Sequence, residues 1–232
     1  MYARLLAFVC LFCSYALFGG SVAPLAPHST VGVYLKTDST ASASSLPFMR
    51  EELASLLAPA GIQLQWLKPG ATSQADHTIS VELRGSCRPR ESSAKFKDRT
   101  PLASTAVQDG KVLPFSWVDC AALDRFFGAS LHSISKRDEV YGRAIGRLLA
   151  HEFFHVLTAS EEHTSGGVSK TAFSLADLLA ERLTFQPDAL ALLHVDAPEP
   201  VLSAAVLPTA DDDVLSFDEA AALIYEDALV GR

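Results

Sequence analysis

The feature that most constrains the fold is a long helical pattern in the middle of the chain. The segment from Ser135 to about Ala159 contains no proline, and its apolar residues recur at helical spacing. These residues are Val140, Ile145, Leu148, Leu149, Phe153 and Val156. Gly142 and Gly146 lie on one face, where each costs a helix ~1 kcal/mol relative to alanine. We therefore expect this helix to pack closely against another backbone.

The same helix carries the pattern His-Glu-x-x-His at residues 151–155. Histidines at positions i and i+4 project from one face, so His151 and His155 can both reach a single tetrahedral Zn²⁺. Glu152 lies next to the first histidine. Its carboxylate can take a proton from a zinc-activated water and deliver it to a leaving amine. We expect two zinc ligands here, and we expect Glu152 to be the catalytic base and acid.

A catalytic zinc site needs a third protein ligand beside a water. His163 is the first candidate, because the glycine pair 166–167 allows the chain to turn back after the helix. The helix must then end near Ala159, since a continuous helix would carry His163 away from the other two histidines. Glu161 and Glu181 are the alternative third ligands. Two lone histidines are weaker candidates: His132 and His194.

The N-terminal segment has the composition of an export signal. Arg4 precedes an uncharged apolar run from Leu5 to Phe18, and small residues follow the run. Its 14 residues would rise only ~21 Å as a helix, short of the ~30 Å hydrocarbon core of a bilayer. We expect residues 1–23 to be a signal peptide and the protein to be periplasmic or extracellular, without stable membrane contact after its removal. An uncleaved N-terminal membrane anchor is the alternative.

Cysteine usage agrees with export to an oxidising compartment. Of the four cysteines, Cys10 and Cys13 lie in the predicted signal, which leaves Cys87 and Cys120. An even pair in an exported protein predicts one disulfide, which would stabilise the fold by a few kcal/mol. Two buried free thiols are the alternative.

The composition excludes several classes of function. The chain has 232 residues, a formal charge of −8, 49% hydrophobic residues and 20% charged residues. These values are typical of a globular protein and differ from those of disordered chains. A net negative charge without a basic run argues against nucleic acid as a partner. The expected partner is a peptide or protein substrate.

The remaining sequence predicts both strands and helices. Runs of β-branched or alternating apolar residues predict strands at 31–35, 62–67, 78–83, 103–108 and 111–118. Apolar stripes predict helices over 46–58 and 175–185, before and after the central helix. Asp109-Gly110, between the last two strands, predicts a hairpin.

Two helix starts around the histidine motif have the spacing of a capping box, in which two side chains each bond the other residue's backbone N–H. Ser135 precedes Asp138 by three residues at the central helix, and Ser174 precedes Asp177 by three at the next one. We expect both helices to begin there. Asp177 is therefore interpreted as a capping or supporting group rather than a metal ligand.

The hairpin strand Val112–Val118 is a candidate for the edge of the sheet. An exposed edge can bind an extended substrate, which adds a strand through main-chain hydrogen bonds. An ordinary core strand is the alternative, and the sequence favours neither.

The helix with His151, Glu152 and His155, preceded by a small sheet with a hairpin, resembles the zincin metallopeptidases. The element order looks most like the metzincin branch, and residues 113–120 and 147–158 also resemble short, uncharacterised bacterial secreted proteins. The metzincin pattern would place glycine at 158 and histidine at 161, but this chain has Thr158 and Glu161. It also has no methionine after Met49, so the methionine turn of that branch is missing.

The resemblance implies an α+β, zincin-like fold. A small mixed twisted sheet with an edge hairpin would pack on a long active-site helix, followed by a second helix. We expect this domain to span 24–185, with a Pro- and Ala-rich acidic extension at 186–232 that ends in a helix. The implied function is that of a secreted zinc-dependent metallopeptidase. The alternatives are a non-catalytic binding module of the same fold, or a zinc hydrolase acting on a non-peptide amide or ester.

Overall fold

The structure is a computed structural model that describes residues 29–37, 43–90, 101–131 and 134–194. The predicted signal peptide and the predicted terminal helix lie outside the described residues. Within the described ranges, none of the helices has the length and apolar character needed to cross a membrane.

Five strands form one mixed sheet in the order β2-β1-β3-β5-β4. Their bounds are β1 Ser29–Thr37, β2 Ile62–Leu67, β3 His77–Arg84, β4 Ala103–Gln108 and β5 Lys111–Asp119. Neighbouring strands are parallel except for β4, which pairs antiparallel with β5 across the predicted hairpin. All five predicted strands are confirmed, and the strands bury apolar residues in the core, among them Val31, Val33, Ile79, Val81 and Leu83.

In the described part of the chain, the sheet is accompanied by five α-helices: α1 Leu46–Leu57, α2 Cys120–Phe127, α3 Arg137–Thr158, α4 Leu175–Leu179 and α5 Pro187–His194. The core lies between the sheet and helices α1 and α3. Val33 and Val81 contribute to it from the strands, Leu53 from α1, and Ile145 and Phe153 from α3. The α+β class and the mixed sheet are therefore as predicted.

The two helical glycines mark the closest contact between α1 and α3. A Cβ atom on Gly142 would overlap the backbone carbonyl oxygen of Ser45, and one on Gly146 would lie 2.8 Å from the carbonyl oxygen of Met49. The predicted close approach of two backbones is thus confirmed.

The predicted capping box at Ser135 is wrong. Helix α3 begins at Arg137 with Lys136 as its N-cap, and no side chain caps it. The reason is a distant contact, because the hydroxyl of Ser45 donates to the Asp138 carboxylate at 3.1 Å. The second predicted capping box, formed by Ser174 and Asp177, is present at the start of α4.

The helix predicted over 175–185 is shorter than expected. Helix α4 ends at Leu179, and Ala180 already has an extended ψ of 147°. The guanidinium of Arg147 donates to the carbonyl oxygens of Asp177 at 2.7 Å and Leu178 at 3.3 Å. These carbonyls are therefore satisfied without a further helical turn.

Sequence reasoning missed two short helices. Asp119 is the N-cap of α2, and its side chain accepts from the backbone N–H of Ala122 at 2.8 Å. Helix α5 begins with Pro187, a residue suited to the first turn of a helix. Ala189 on α5 is fully buried, and Leu190 and Leu193 of the same helix pack against the core.

Of the two alternatives that the sequence left open for Val112–Val118, the structure shows the interior strand rather than the sheet edge. Strand β5 lies between β3 and β4, and β4 is the edge strand. Pro114 is tolerated inside β5 because the ladder to β4 is irregular there, passing from the Thr105–Ser116 pair to Val107–Val112.

Cys87 and Cys120 lie at disulfide distance, as predicted, with their Cα atoms 4.8 Å apart. Both residues are fully buried. The bond joins the segment after β3 to the start of α2, so it closes a loop that contains the whole β4–β5 hairpin.

We predict that Gly142→Ala destabilises the protein by ~1–3 kcal/mol, although alanine is the better helix former, because its Cβ would press on the Ser45 backbone. Urea denaturation would measure the change. The matched control is Gly166→Ala, where the nearest atom to an added Cβ is 3.7 Å away. A Gly142→Ala variant as stable as the wild type would contradict the close contact.

Candidate metal centre

Two histidines of α3 face each other at the C-terminal end of the helix. The Nε2 atoms of His151 and His155 are 3.1 Å apart. The other nitrogen of each ring contacts a backbone carbonyl oxygen, which fixes the orientation of the ring. Nδ1 of His151 lies 2.8 Å from the carbonyl oxygen of Val168, and Nδ1 of His155 lies 2.8 Å from that of Ser160.

These contacts assign the protons of both rings. A carbonyl oxygen can only accept, so each Nδ1 must carry the proton and donate it. Each neutral ring then has a bare lone pair on Nε2, and the two lone pairs of His151 and His155 face each other. Two acceptor nitrogens cannot hydrogen-bond to each other. The arrangement is instead the one expected where both nitrogens bind the same cation.

The third histidine reaches this pair because α3 ends abruptly. Helix α3 stops at Thr158, and Ala159 adopts a left-handed conformation with φ 47° and ψ 38°. The next residue, Ser160, donates its backbone N–H to the carbonyl of His155 at 3.1 Å, which closes the helix end. The chain then turns back, and the ring centroid of His163 lies 4.8 Å from that of His155. The predicted helix end near Ala159 is confirmed.

His151, His155 and His163 form a group that could hold a metal ion. One ligand atom from each lies within 4.8 Å of the others. Two nitrogens bound to a tetrahedral zinc at ~2.0–2.1 Å would be about 3.3 Å apart, close to the 3.1 Å between the two helical Nε2 atoms. The first two histidines are buried and the third is exposed, so the group opens toward solvent on the side of His163.

The alternative ligands occupy other positions. Glu161 is exposed and lines the cleft beside the histidines. Glu181 is exposed, and its backbone carbonyl accepts from Arg147 at 3.4 Å. Neither carboxylate belongs to the group of close ligand atoms. His132 and the side chain of His194 lie outside the described part of the chain.

The protonation of the two helical histidines suits metal binding. Burial, together with the neighbouring rings of His155 and His163, lowers the pKa of His151 to about 4, although the hydrogen bond to the Val168 carbonyl partly opposes this shift. Burial, together with His163, also holds the pKa of His155 below its ordinary value. Both rings are therefore neutral at pH 7, the state in which imidazole binds a metal.

Glu152 is held beside this group by a residue that sequence reasoning missed. Only 6% of Glu152 is exposed, and burial raises the pKa of its carboxyl to about 7. The hydroxyl of Thr105 on β4 donates to Oε2 of Glu152 at 2.7 Å and partly opposes that rise. The two residues are 47 positions apart, so no local sequence signal joins them.

The three histidines and Glu152 open into a cleft of about 220 Å³. Strand β4 forms the opposite wall. The lining residues are Ala103, Ser104, Thr105, Val107, Val112, His151, Glu152, His155, Glu161 and His163. The cleft thus runs along the sheet edge, with the candidate metal group at its base.

Arg147 supports the site from inside the fold, and sequence reasoning missed it as well. Its side chain is fully buried one turn before His151, and it pairs with the Glu52 carboxylate at 2.6 Å. The same guanidinium binds the carbonyls at the end of α4. It therefore ties α1, α3 and α4 together behind the histidines.

Scans against protein-family models, curated proteins and solved structures each found no match to this chain. The description of the site therefore comes from its geometry alone. That geometry shows an α+β fold with a mixed sheet, and three histidines that could hold a metal ion.

We predict that the protein binds one divalent ion, tested with Zn²⁺ and Co²⁺, and that His163→Ala weakens the affinity by more than about a hundredfold. A competition titration with a chromophoric chelator would measure this. The matched controls are Glu161→Ala and Glu181→Ala, which should bind nearly as tightly as the wild type. If Glu181→Ala lost the metal and His163→Ala kept it, the assigned third ligand would be wrong.

The metal-free protein should show two opposing effects of pH on stability. His151 has a pKa of about 4 when folded and 6.5 as its ordinary value, so between these the unfolded state binds more protons and stability rises with pH. Glu152 has a pKa of about 7 when folded and 4.5 ordinarily, so the folded state binds more protons and stability falls with pH. Between about pH 4.5 and 6.5 the two effects oppose each other.

We predict that Glu152→Gln unmasks the histidine effect, since the amide has no charge but still accepts from Thr105. We compare the unfolding free energy of the metal-free variant with that of the metal-free wild type. The difference, variant minus wild type, should increase by up to ~3 kcal/mol from pH 4.5 to 6.5. Urea denaturation in the presence of a chelator would measure both curves. Parallel curves would show that Glu152 is not buried as described.

Proposed function

We propose that this protein is an exported, zinc-dependent peptidase with a zincin-like fold. One observation carries the proposal: the Nε2 atoms of His151 and His155 face each other at 3.1 Å, while Nδ1 of each ring contacts a backbone carbonyl oxygen. His163 completes a three-nitrogen group, and Glu152 lies beside that group in the same cleft.

The donor set supports zinc over other common metals. Ca²⁺ and Mg²⁺ prefer oxygen ligands, whereas three imidazoles with an open fourth position are typical of catalytic zinc. A bound zinc would lower the pKa of a water and polarise the carbonyl under attack. The open position agrees with the exposure of His163 toward the cleft.

Glu152 is the proposed general base and acid. Its folded pKa of about 7 suits a group that must both take and return a proton near neutral pH. It lines the cleft rather than joining the three-nitrogen group, which leaves its carboxylate available for proton transfer.

The sheet edge favours a peptide over other amides or esters. Strand β4 lines the cleft and, among the described strands, pairs only with β5. An extended peptide could add to this edge through main-chain hydrogen bonds, which would place its backbone across the histidine group. A small ester or amide would make no such ladder.

One feature supports the resemblance to the zincins: helix α3, which carries the histidines, packs on a mixed sheet whose edge strand is antiparallel. The main departure is the third histidine, which follows the family position at Glu161 by two residues. In this chain the turn at Ala159 accommodates the shift and brings His163 to the group. The buried Cys87–Cys120 pair supports the proposal of export.

We predict that Glu152→Gln lowers peptide turnover by at least about a hundredfold while zinc content stays at one per chain, because the amide cannot act as a base. A quenched-fluorescence peptide mixture and metal analysis of the same samples would measure both. Glu162→Gln, at an exposed neighbouring position, is the matched control and should keep full turnover.

Three results would change the proposal. An active Glu152→Gln variant would remove Glu152 from the chemistry. A zinc-loaded wild type that cleaves nothing would favour the non-catalytic binding module. Turnover of p-nitrophenyl esters that depends on Glu152, without any peptide cleavage, would favour the non-peptide hydrolase.

A further inference from the structure

A pair of hydroxyl groups on the hairpin leads directly to the carboxylate of Glu152. Oγ1 of Thr105 on β4 lies 2.7 Å from Oε2 of Glu152. It also lies 3.0 Å from Oγ of Ser116 on β5, and 3.3 Å from the backbone carbonyl oxygen of Glu152. Thr105 and Ser116 are cross-strand partners, so the register of the hairpin sets this contact.

The direction of the chain of hydrogen bonds follows from counting protons. A threonine hydroxyl has one proton, and the nearest acceptor is the carboxylate oxygen of Glu152. With that proton committed, the Thr105 oxygen can only accept from Ser116. Ser116 is fully buried, so its donation to Thr105 also satisfies its own hydroxyl. The order is therefore Ser116 to Thr105 to Glu152.

The arrangement makes the two oxygens of Glu152 different. Oε2 accepts from Thr105, whereas no hydrogen bond is made by Oε1 within the described structure. Among the described residues, the buried side-chain polar atom that lacks a partner is Nε of Arg143. Glu152 lines the cleft, and with Oε2 held by Thr105 the oxygen left available to the cleft is Oε1.

We propose that Thr105, oriented by Ser116, is a positioning residue that holds Oε2 of Glu152 and so presents Oε1 to the substrate. The proposal rests on the peptidase function proposed above. It assigns a role in the reaction to two residues of the hairpin that lie outside the histidine motif.

The hydrolytic step places a separate demand on each oxygen. Oε1 takes one proton from water while the water oxygen bonds to the carbonyl carbon, and the same proton passes to the leaving nitrogen as the C–N bond breaks. Oε2 keeps its bond to Thr105 throughout. A carboxylate free to rotate would spend part of its time with neither oxygen in reach of the water, which lowers the rate of the step rather than substrate binding.

The kinetic test compares Thr105→Val, which keeps the shape, with Thr105→Ser, which keeps the hydroxyl. On a quenched-fluorescence peptide that the wild type cleaves, Thr105→Val should lower kcat about ten- to a hundredfold with KM within about twofold. Thr105→Ser should restore kcat to within about threefold of the wild type, and Ser116→Ala should lose less than Thr105→Val. Thr78→Val, the same change at an exposed position on β3 away from the cleft, is the control.

A second readout needs neither zinc nor turnover. A double-mutant cycle of Thr105→Val and Glu152→Met in the metal-free protein at pH 8 should show a coupling of about tenfold or more in the unfolding equilibrium constant. Absence of coupling, or an unchanged kcat in Thr105→Val, would overturn the proposal, as would a Thr105→Ser variant as slow as the valine variant. If the wild type cleaves no peptide, the peptidase function fails, and the coupling still decides whether Thr105 holds Glu152.

Discussion

Polar groups on a buried helix must find partners, and this constraint organises the structure around α3. Sixteen of the 22 residues of α3 are buried, and four of these are Arg147, His151, Glu152 and His155. Each has a partner on another segment, because an unpaired buried polar group costs about 1–3 kcal/mol. His151 contacts the carbonyl of Val168, and His155 contacts that of Ser160. Arg147 donates to the carbonyl of Asp177 in α4, and Glu152 accepts from the hydroxyl of Thr105.

The loops after α3 therefore take their shape from the helix they cover. Val168 follows α3 by ten residues, and its carbonyl must turn inward to accept from His151. Arg147 likewise shapes α4. This helix ends early because the guanidinium binds its last carbonyls. Phe173 lies edge-on to the His151 ring, with ring centroids 5.6 Å apart. The imidazoles are thus held in place before any metal binds.

The parts of this molecule that the sequence predicted depend on short-range spacing. The helix, its two histidines four residues apart, the glycine contact and the hairpin all follow from patterns within about one or two turns. Two of the errors involve partners far along the chain. Asp138 bonds Ser45, 93 positions away, which removed the expected cap, and Thr105 bonds Glu152 from 47 positions away. One sequence contains no signal that pairs such residues, because the pairing depends on how the sheet and helices come together.

The residues of the site come from two parts of the chain, one inside the loop closed by Cys87 and Cys120 and one after it. Thr105 and Ser116 lie inside the loop that Cys87 and Cys120 close, whereas all three histidines lie within residues 151–163, after that loop. A change of length within the closed loop would shift the hydroxyls relative to Glu152 and leave the spacing of the histidines untouched. Over evolutionary time, the group of three histidines and the hydroxyls that contact Glu152 are therefore free to diverge separately.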